Sequence, residues 1–172
     1  GKTKVLLGGN DTMLCRLDEC NIGNMLTDAM IYTYLLDYKD NNSSWTDAPV
    51  AVIQGGGIRS FIDVKNVDGN ITRADVMTVL PFDNAIVSVV VTGEILMLAL
   101  EQSVYRYNPS DAPGGFLQYS GLHVTYNLEK PPGSRLVSAY IRCGKCDVPE
   151  YKMVTKDESY KILIPEFLYQ GG

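Results

Sequence analysis

Val50-Ala51-Val52-Ile53-Gln54-Gly55-Gly56-Gly57-Ile58-Arg59 sets four small or β-branched apolar residues directly before an amide and three glycines. Such a run reads as a short buried strand that enters a glycine loop. Upstream of it, Asn21 or Asn24 can cap a helix whose apolar residues Met25, Leu26, Ala29, Met30, Thr33 and Leu36 recur at helical spacing to about Tyr38. The polar run of residues 39–44 ends that helix. Downstream, Thr72-Arg73-Ala74-Asp75 has the form of a capping box opening a short helix. Residues 85–92 are β-branched and nearly continuously apolar, the pattern of an interior strand. A third helix is expected after Gly93, burying Ile95, Leu96, Ala99, Leu100, Ser103 and Val104 and stopped by Pro109 and Pro113. Strand-like pieces at 121–128, 136–142 and 160–164 follow, separated by Pro131-Pro132-Gly133 and a cysteine pair. Helices and strands alternate irregularly and hairpin-like pairs come late. The expected fold is therefore α+β, a single domain over 1–172 with a mixed β-sheet and packed helices.

Composition narrows the function. A net charge of −5, from 15 basic and 20 acidic residues in mixed distribution, leaves no basic stripe for a phosphate backbone to follow, so nucleic acid is not an expected partner. No apolar run approaches the ~20 residues of a membrane span, and the first residues are too short for a signal peptide's apolar core. The four cysteines fall into local pairs, Cys15 with Cys20 and Cys143 with Cys146, as extracellular disulfides often do. Sequons at Asn10, Asn41, Asn42 and Asn70 would accept glycans in that compartment. The expected localisation is extracellular, secreted or at the cell surface.

Gly55-Gly56-Gly57 followed by Arg59 reads as a backbone that can approach a ligand, beside a planar donor fork suited to phosphate or carboxylate. A mere tight turn is the competing reading. Neither a P-loop nor a dinucleotide fingerprint is present. Phe82 and Phe167 each sit at the edge of an expected element, where a ring could stack on a planar base, with core packing as the alternative. Cys143-Gly144-Lys145-Cys146 could be half a zinc site or a redox dithiol, but no second Cys-x₂-Cys exists and Pro149 follows closely, which favours a structural disulfide for both pairs. His123 is the only histidine, so neither a triad nor a dinuclear His/Asp centre can be assembled from this chain. Asp18, Glu19, Asp28, Asp75 and Asp83 are assigned to solvation or helix capping.

Taken in order, the segments from Cys15 to Met25, Gln54 to Ser60, Gly69 to Thr72 with Asp75, Leu80-Pro81-Phe82, Gly93, Leu100-Glu101, Phe116-Leu117-Gln118 with Gly121, Cys143 to Cys146, and Phe167 with Gly171-Gly172 resemble the C-terminal domain of animal ecto-5′-nucleotidases and the related salivary apyrases of blood-feeding arthropods. That resemblance covers nearly the whole chain. It implies nucleotide contacts by Arg16 and Arg59, a purine held between Phe82 and Phe167, and a base contact from Gln54, where the nucleotidases usually have Asn. An aspartate that holds the ribose normally follows the final glycine pair, beyond Gly172. A third disulfide of the vertebrate enzymes has Thr27 and Ala51 in its place here.

The resemblance further implies a parent enzyme whose separate N-terminal metallophosphoesterase domain binds two divalent metal ions, usually zinc, and attacks the terminal phosphate. No metal ion is expected on this chain, and no catalytic residue. The expected function is the substrate-binding domain of a metal-dependent 5′-nucleotidase or apyrase acting on extracellular AMP, ADP or ATP, inactive by itself and partnered by its own N-terminal domain, with adenosine as a further ligand. The alternative is a secreted, non-catalytic nucleotide- or receptor-binding protein of the same fold.

Overall fold

In chain order the elements are α1 (Asn21–Asp37), β1 (Val50–Gln54), α2 (Arg73–Val79), β2 (Ile86–Thr92), α3 (Gly93–Tyr105), β3 (Leu117–Ser120), β4 (Leu122–Tyr126), β5 (Leu136–Arg142), β6 (Tyr151–Met153), β7 (Ser159–Pro165) and α4 (Glu166–Tyr169). The computed structural model describes residues 1–8, 13–38, 44–63 and 68–172. The sequons at Asn10, Asn41 and Asn42 lie outside the described residues, whereas Asn70 is exposed and bridges Lys2.

β1 is the centre of the molecule because both of its faces are covered. It belongs to a four-stranded sheet ordered β2-β7-β1-β3, parallel to β7 and antiparallel to β3. Val50 and Val52 pack with Leu96 and Leu100 of α3 and with Leu122 and Ile141 of a second, antiparallel sheet, β4-β5-β6. On the opposite face Ala51 packs with Met30 and Ile31 of α1 and with Leu163 of β7. A separate cluster joins the first disulfide, Ile22, Leu26, Ile58 and Val79, fixing α1 and α2 around the glycine loop. Mixed sheet and packed helices are thus the α+β arrangement expected. Both disulfides form, with Cα–Cα separations of 5.2 Å for Cys15–Cys20 and 5.6 Å for Cys143–Cys146, inside the usual span.

Several expectations are corrected. β2 is an edge strand, not an interior one: Val87, Val89 and Val91 are half-buried, whereas Val90 is 66% and Ile86 48% exposed. Its register sets Ser88 opposite Leu163 and Val90 opposite Lys161, on the face that α1 covers only farther along the sheet. In α3 the buried stripe is Gly93, Leu96, Leu100, Ser103 and Val104, while Ile95 and Ala99 are exposed because only one side of that helix meets the sheets. α3 also ends ahead of Pro109, where Arg135 donates to the carbonyls of Val104 and Tyr105. The cap of α1 is Cys20, whose Sγ accepts from the Gly23 N–H; Asn21 instead ties Leu6 and Gly8 to the helix. The capping box of Thr72 and Asp75 is present as expected.

Glu101 of α3 locks the second sheet to this helix. Its carboxylate accepts from the backbone N–H groups of Gly133, Arg135 and Leu136 at 2.8, 3.0 and 2.6 Å. Burial alone would raise its pKa, but those three donors and the charge of Arg135 outweigh burial and hold the carboxyl below its usual 4.5. A folded-state pKa below the unfolded value contributes stability that is present above the unfolded pKa and lost as pH falls through the folded one. Glu101→Gln is therefore expected to cost about 1–3 kcal/mol at pH 7, measured by urea unfolding. The gap between the two proteins should close as the pH is taken down through 4.5 and below; an equal gap at pH 7 and pH 3 would contradict this account.

Candidate functional site

The first cysteine loop is shaped by a side chain that lies far from it in sequence. Gln118 of β3 is fully buried. Its Nε2 donates to the carbonyls of Cys15 and Asp18 at 2.9 and 2.7 Å, and its Oε1 accepts from the Cys20 N–H at 2.9 Å. Gly23 makes room for it, since a Cβ there would stand 2.4 Å from Gln118 Oε1. The amide and the disulfide together fix the 3-10 turn Leu14–Arg16. Arg16 leaves that turn half-buried and donates to the Ala112 carbonyl at 3.4 Å.

The glycine triplet is used differently from the expectation. It forms a 3-10 turn, and a Cβ on Gly55 would stand 1.9 Å from the Cys15 carbonyl oxygen, one on Gly56 2.8 Å from the Gly114 Cα. Gly55 and Gly56 thus admit neighbouring backbone, not a ligand, and their N–H groups donate to the carbonyls of Phe116 and Gly114. Gly57 alone faces a cavity, where the Gln54 amide lies 3.2 Å from the position of its missing Cβ.

That cavity, of about 240 Å³, joins the end of β1 to the segment before β2. Its wall includes Leu26, Ile53, Gln54, Phe82, Asp83 and Pro165. Gln54 Oε1 is buried and has no hydrogen-bond partner among the described residues, a state that costs roughly 1–3 kcal/mol and marks an acceptor available to a ligand. Phe82 is 53% and Phe167 45% exposed, so neither ring is spent on the core. The Arg59 guanidinium lies 5.8 Å from the Phe82 ring centroid, within cation–π range, and donates to the Gly56 carbonyl at 3.0 Å. The Arg59 N–H donates to Val79, strapping the end of α2 to the site.

The five candidate residues are therefore joined unequally. Gln54 and Phe82 share one cavity, and Arg59 reaches the Phe82 ring. Arg16 is connected indirectly, through the loop at 112–114 that packs on Gly56. Phe167 does not line the cavity. It is the second residue of α4, two residues after Pro165, which does, and the ring lies against Gly172. Gln118 was not foreseen as an organiser of the site; a lone amide within the apolar run Phe116-Leu117-Gln118-Tyr119 was its only local signal.

Among the described residues no group of three or more His, Cys, Asp or Glu side chains is placed to hold a metal ion. His123 stacks on Tyr151 with ring centroids 3.8 Å apart. Asp75 serves the capping box, and Asp28 accepts from Ser120 at 2.6 Å.

Residues 1–172 match the family model of the 5′-nucleotidase C-terminal domain. Protein 5NUC of Lutzomyia longipalpis is 40% identical over 172 residues, all of this chain and 30% of that protein. The 5′-nucleotidase of Homo sapiens is 42% identical over the whole chain, which spans 29% of it, and the snake venom 5′-nucleotidase of Macrovipera lebetinus is 42% identical with 41% spanned. Among solved structures, a 5′-nucleotidase precursor from Thermus thermophilus superposes with a TM-score of 0.83 at 31% identity, covering 100% of this chain and 30% of that one. The chain spans well under half the length of each of these proteins.

Replacing Gln118 by Leu leaves one N–H and two carbonyls of the cysteine loop buried without partners. The expected cost is about 2–4 kcal/mol in urea unfolding, accompanied by amide chemical-shift changes concentrated at residues 15–20. A neutral substitution would show that the disulfide alone fixes the loop.

Proposed function

Since the chain belongs to the 5′-nucleotidase C-terminal domain family, we propose that it is the substrate-binding domain of a metal-dependent 5′-nucleotidase or apyrase and binds the purine end of extracellular AMP, ADP or ATP. The observation that carries this reading is the cavity that sets the orphaned Gln54 acceptor beside the exposed Phe82 ring, with Arg59 over that ring. A planar base stacks on an aromatic face through dispersion and its π-system, and an unpaired amide supplies an in-plane hydrogen bond. Phe167 is assigned the opposite face of the base, since β7 delivers it to the same corner of the sheet as Phe82. Arg16 and Arg59 are assigned charge-assisted hydrogen bonds to the nucleotide.

Hydrolysis is assigned to a separate N-terminal domain carrying two divalent ions, zinc being the expected one. Such ions supply Lewis acidity and a metal-bound water of lowered pKa. This chain's part is to bind and orient the nucleotide. Two disulfides in short surface loops, together with relatives named from snake venom, support an extracellular location. With added Zn²⁺ and AMP the chain by itself is expected to release no phosphate above the uncatalysed rate. Adenosine binding, followed by NMR titration, should weaken by about 1–3 kcal/mol for Phe82→Ala and again for Phe167→Ala. Unchanged affinity in both variants would remove the stacking assignment, and phosphate release at an enzymatic rate would remove the division of labour.

A further inference from the structure

The wall of the Gln54–Phe82 cavity contains a carboxylate that base stacking leaves without a role. Asp83 directly follows Phe82, lines the same cavity, and is exposed. Among the described residues it makes no hydrogen bond and no ion pair, unlike Asp75, Asp28 and Asp47, each of which has a partner. It caps no helix either, since the residues after it run extended into β2.

A base lying on the Phe82 ring directs its polar edge in the plane of stacking, toward the groups beside the ring. The cavity wall offers that edge three polar side chains, the buried Gln54 amide, Asp83 and Asn84. A carboxylate can only accept hydrogen bonds, whereas the Gln54 and Asn84 amides can also donate. Guanine presents two adjacent donors, N1–H and the N2 amino group, beside the O6 acceptor. Both donors can meet the two oxygens of one carboxylate, and O6 can take an amide donor. Adenine presents its N6 amino group next to the N1 lone pair, so a carboxylate in the same position gains one bond and faces one repulsion. Sites built around such a pattern discriminate strongly against the base that leaves them unpaired.

We propose that Asp83 is a specificity-determining residue of this cavity, that it reads adjacent N–H donors on the base, and that the site takes guanine nucleotides in preference to adenine nucleotides. The inference rests on the base-stacking reading above and adds to its rings, Gln54 amide and arginines a group that ranks the purines.

Titrating the chain with guanosine, inosine and adenosine separates the contributions, because inosine keeps N1–H and O6 but lacks the N2 amino group. The expected order of affinity is guanosine, then inosine, then adenosine, with guanosine tighter than adenosine by about tenfold. Asp83→Asn should remove that advantage by weakening guanosine and tightening adenosine, since an amide can accept from N6 and donate to N1; thermal melts at the wild-type temperature would show that this exposed position carries no folding role. Adenosine binding as tightly as guanosine to the unsubstituted chain, or Asp83→Asn weakening both nucleosides equally, overturns the assignment. If adenosine binding still responds to Phe82→Ala in that case, the stacking reading survives and only the role of Asp83 falls. Saturation by none of the three nucleosides overturns both.

Discussion

A single buried amide, that of Gln118, satisfies three backbone groups of a loop about a hundred residues away in sequence. A buried N–H or carbonyl without a partner is costly, and the disulfide, whose Cys20 Sγ accepts from Gly23, supplies no partner to these three groups. The Cys15–Cys20 bond shortens the loop, while Gln118 fixes which way its carbonyls point. That orientation has a consequence at the neighbouring turn. The Cys15 carbonyl, held inward by Gln118, occupies the space where a side chain on residue 55 would stand. Three conditions therefore depend on one another: the amide at 118, the missing Cβ at 23 that seats it, and the missing Cβ at 55 that accepts the loop. Arg16 and Arg59 are presented from the two sides of this junction.

The glycine triplet shows how one motif can divide its work. None of the three residues has a positive φ, so conformational freedom is not what selects glycine here. Close approach is: Gly55 and Gly56 meet protein backbone, and only Gly57 borders the cavity. A glycine run next to a ligand pocket is thus mainly a packing device that lets three chain segments converge. The pocket is what remains beside their convergence.

Features set within one or two turns of chain were legible in the sequence. The capping box at Thr72 and Asp75, the strand before the glycines and the local disulfides depend on neighbours a few residues apart. Strand order is a different matter. The run Ile86-Val87-Ser88-Val89-Val90-Val91-Thr92 has the composition of a central strand, yet β7 arrives late in the chain and inserts between it and β1. No local pattern in β2 encodes that insertion. β6 and α4 escaped notice because they are three and four residues long, below the length at which periodicity can be counted. Of the site, the motifs around Arg16, Arg59, Phe82 and Phe167 were visible through family resemblance. The buried role of Gln118 and the free carboxylate of Asp83 emerge only from packing and partners.

Sheet topology explains why dispersed motifs converge. β1 and β7 are parallel, so Gln54 at the end of one and Pro165 at the end of the other reach the same edge of the sheet. β2 runs antiparallel to β7, with Ile86 opposite Pro165, so the segment bearing Phe82 enters at that edge as Phe167 leaves it. β3 is antiparallel to β1, with Leu117 opposite Gln54, so the loop at 112–116 that contacts Arg16 and Gly56 arrives there too. Carboxyl ends of parallel strands are a recurrent ligand position in α/β sheets, and here a single parallel pair flanked by antiparallel strands achieves the same convergence. Substitutions that alter strand direction or order would scatter the site without touching any residue in it. Residues 54, 82 and 83 wall the cavity and Arg59 lies against the Phe82 ring, but the cavity's existence rests on the order β2-β7-β1-β3.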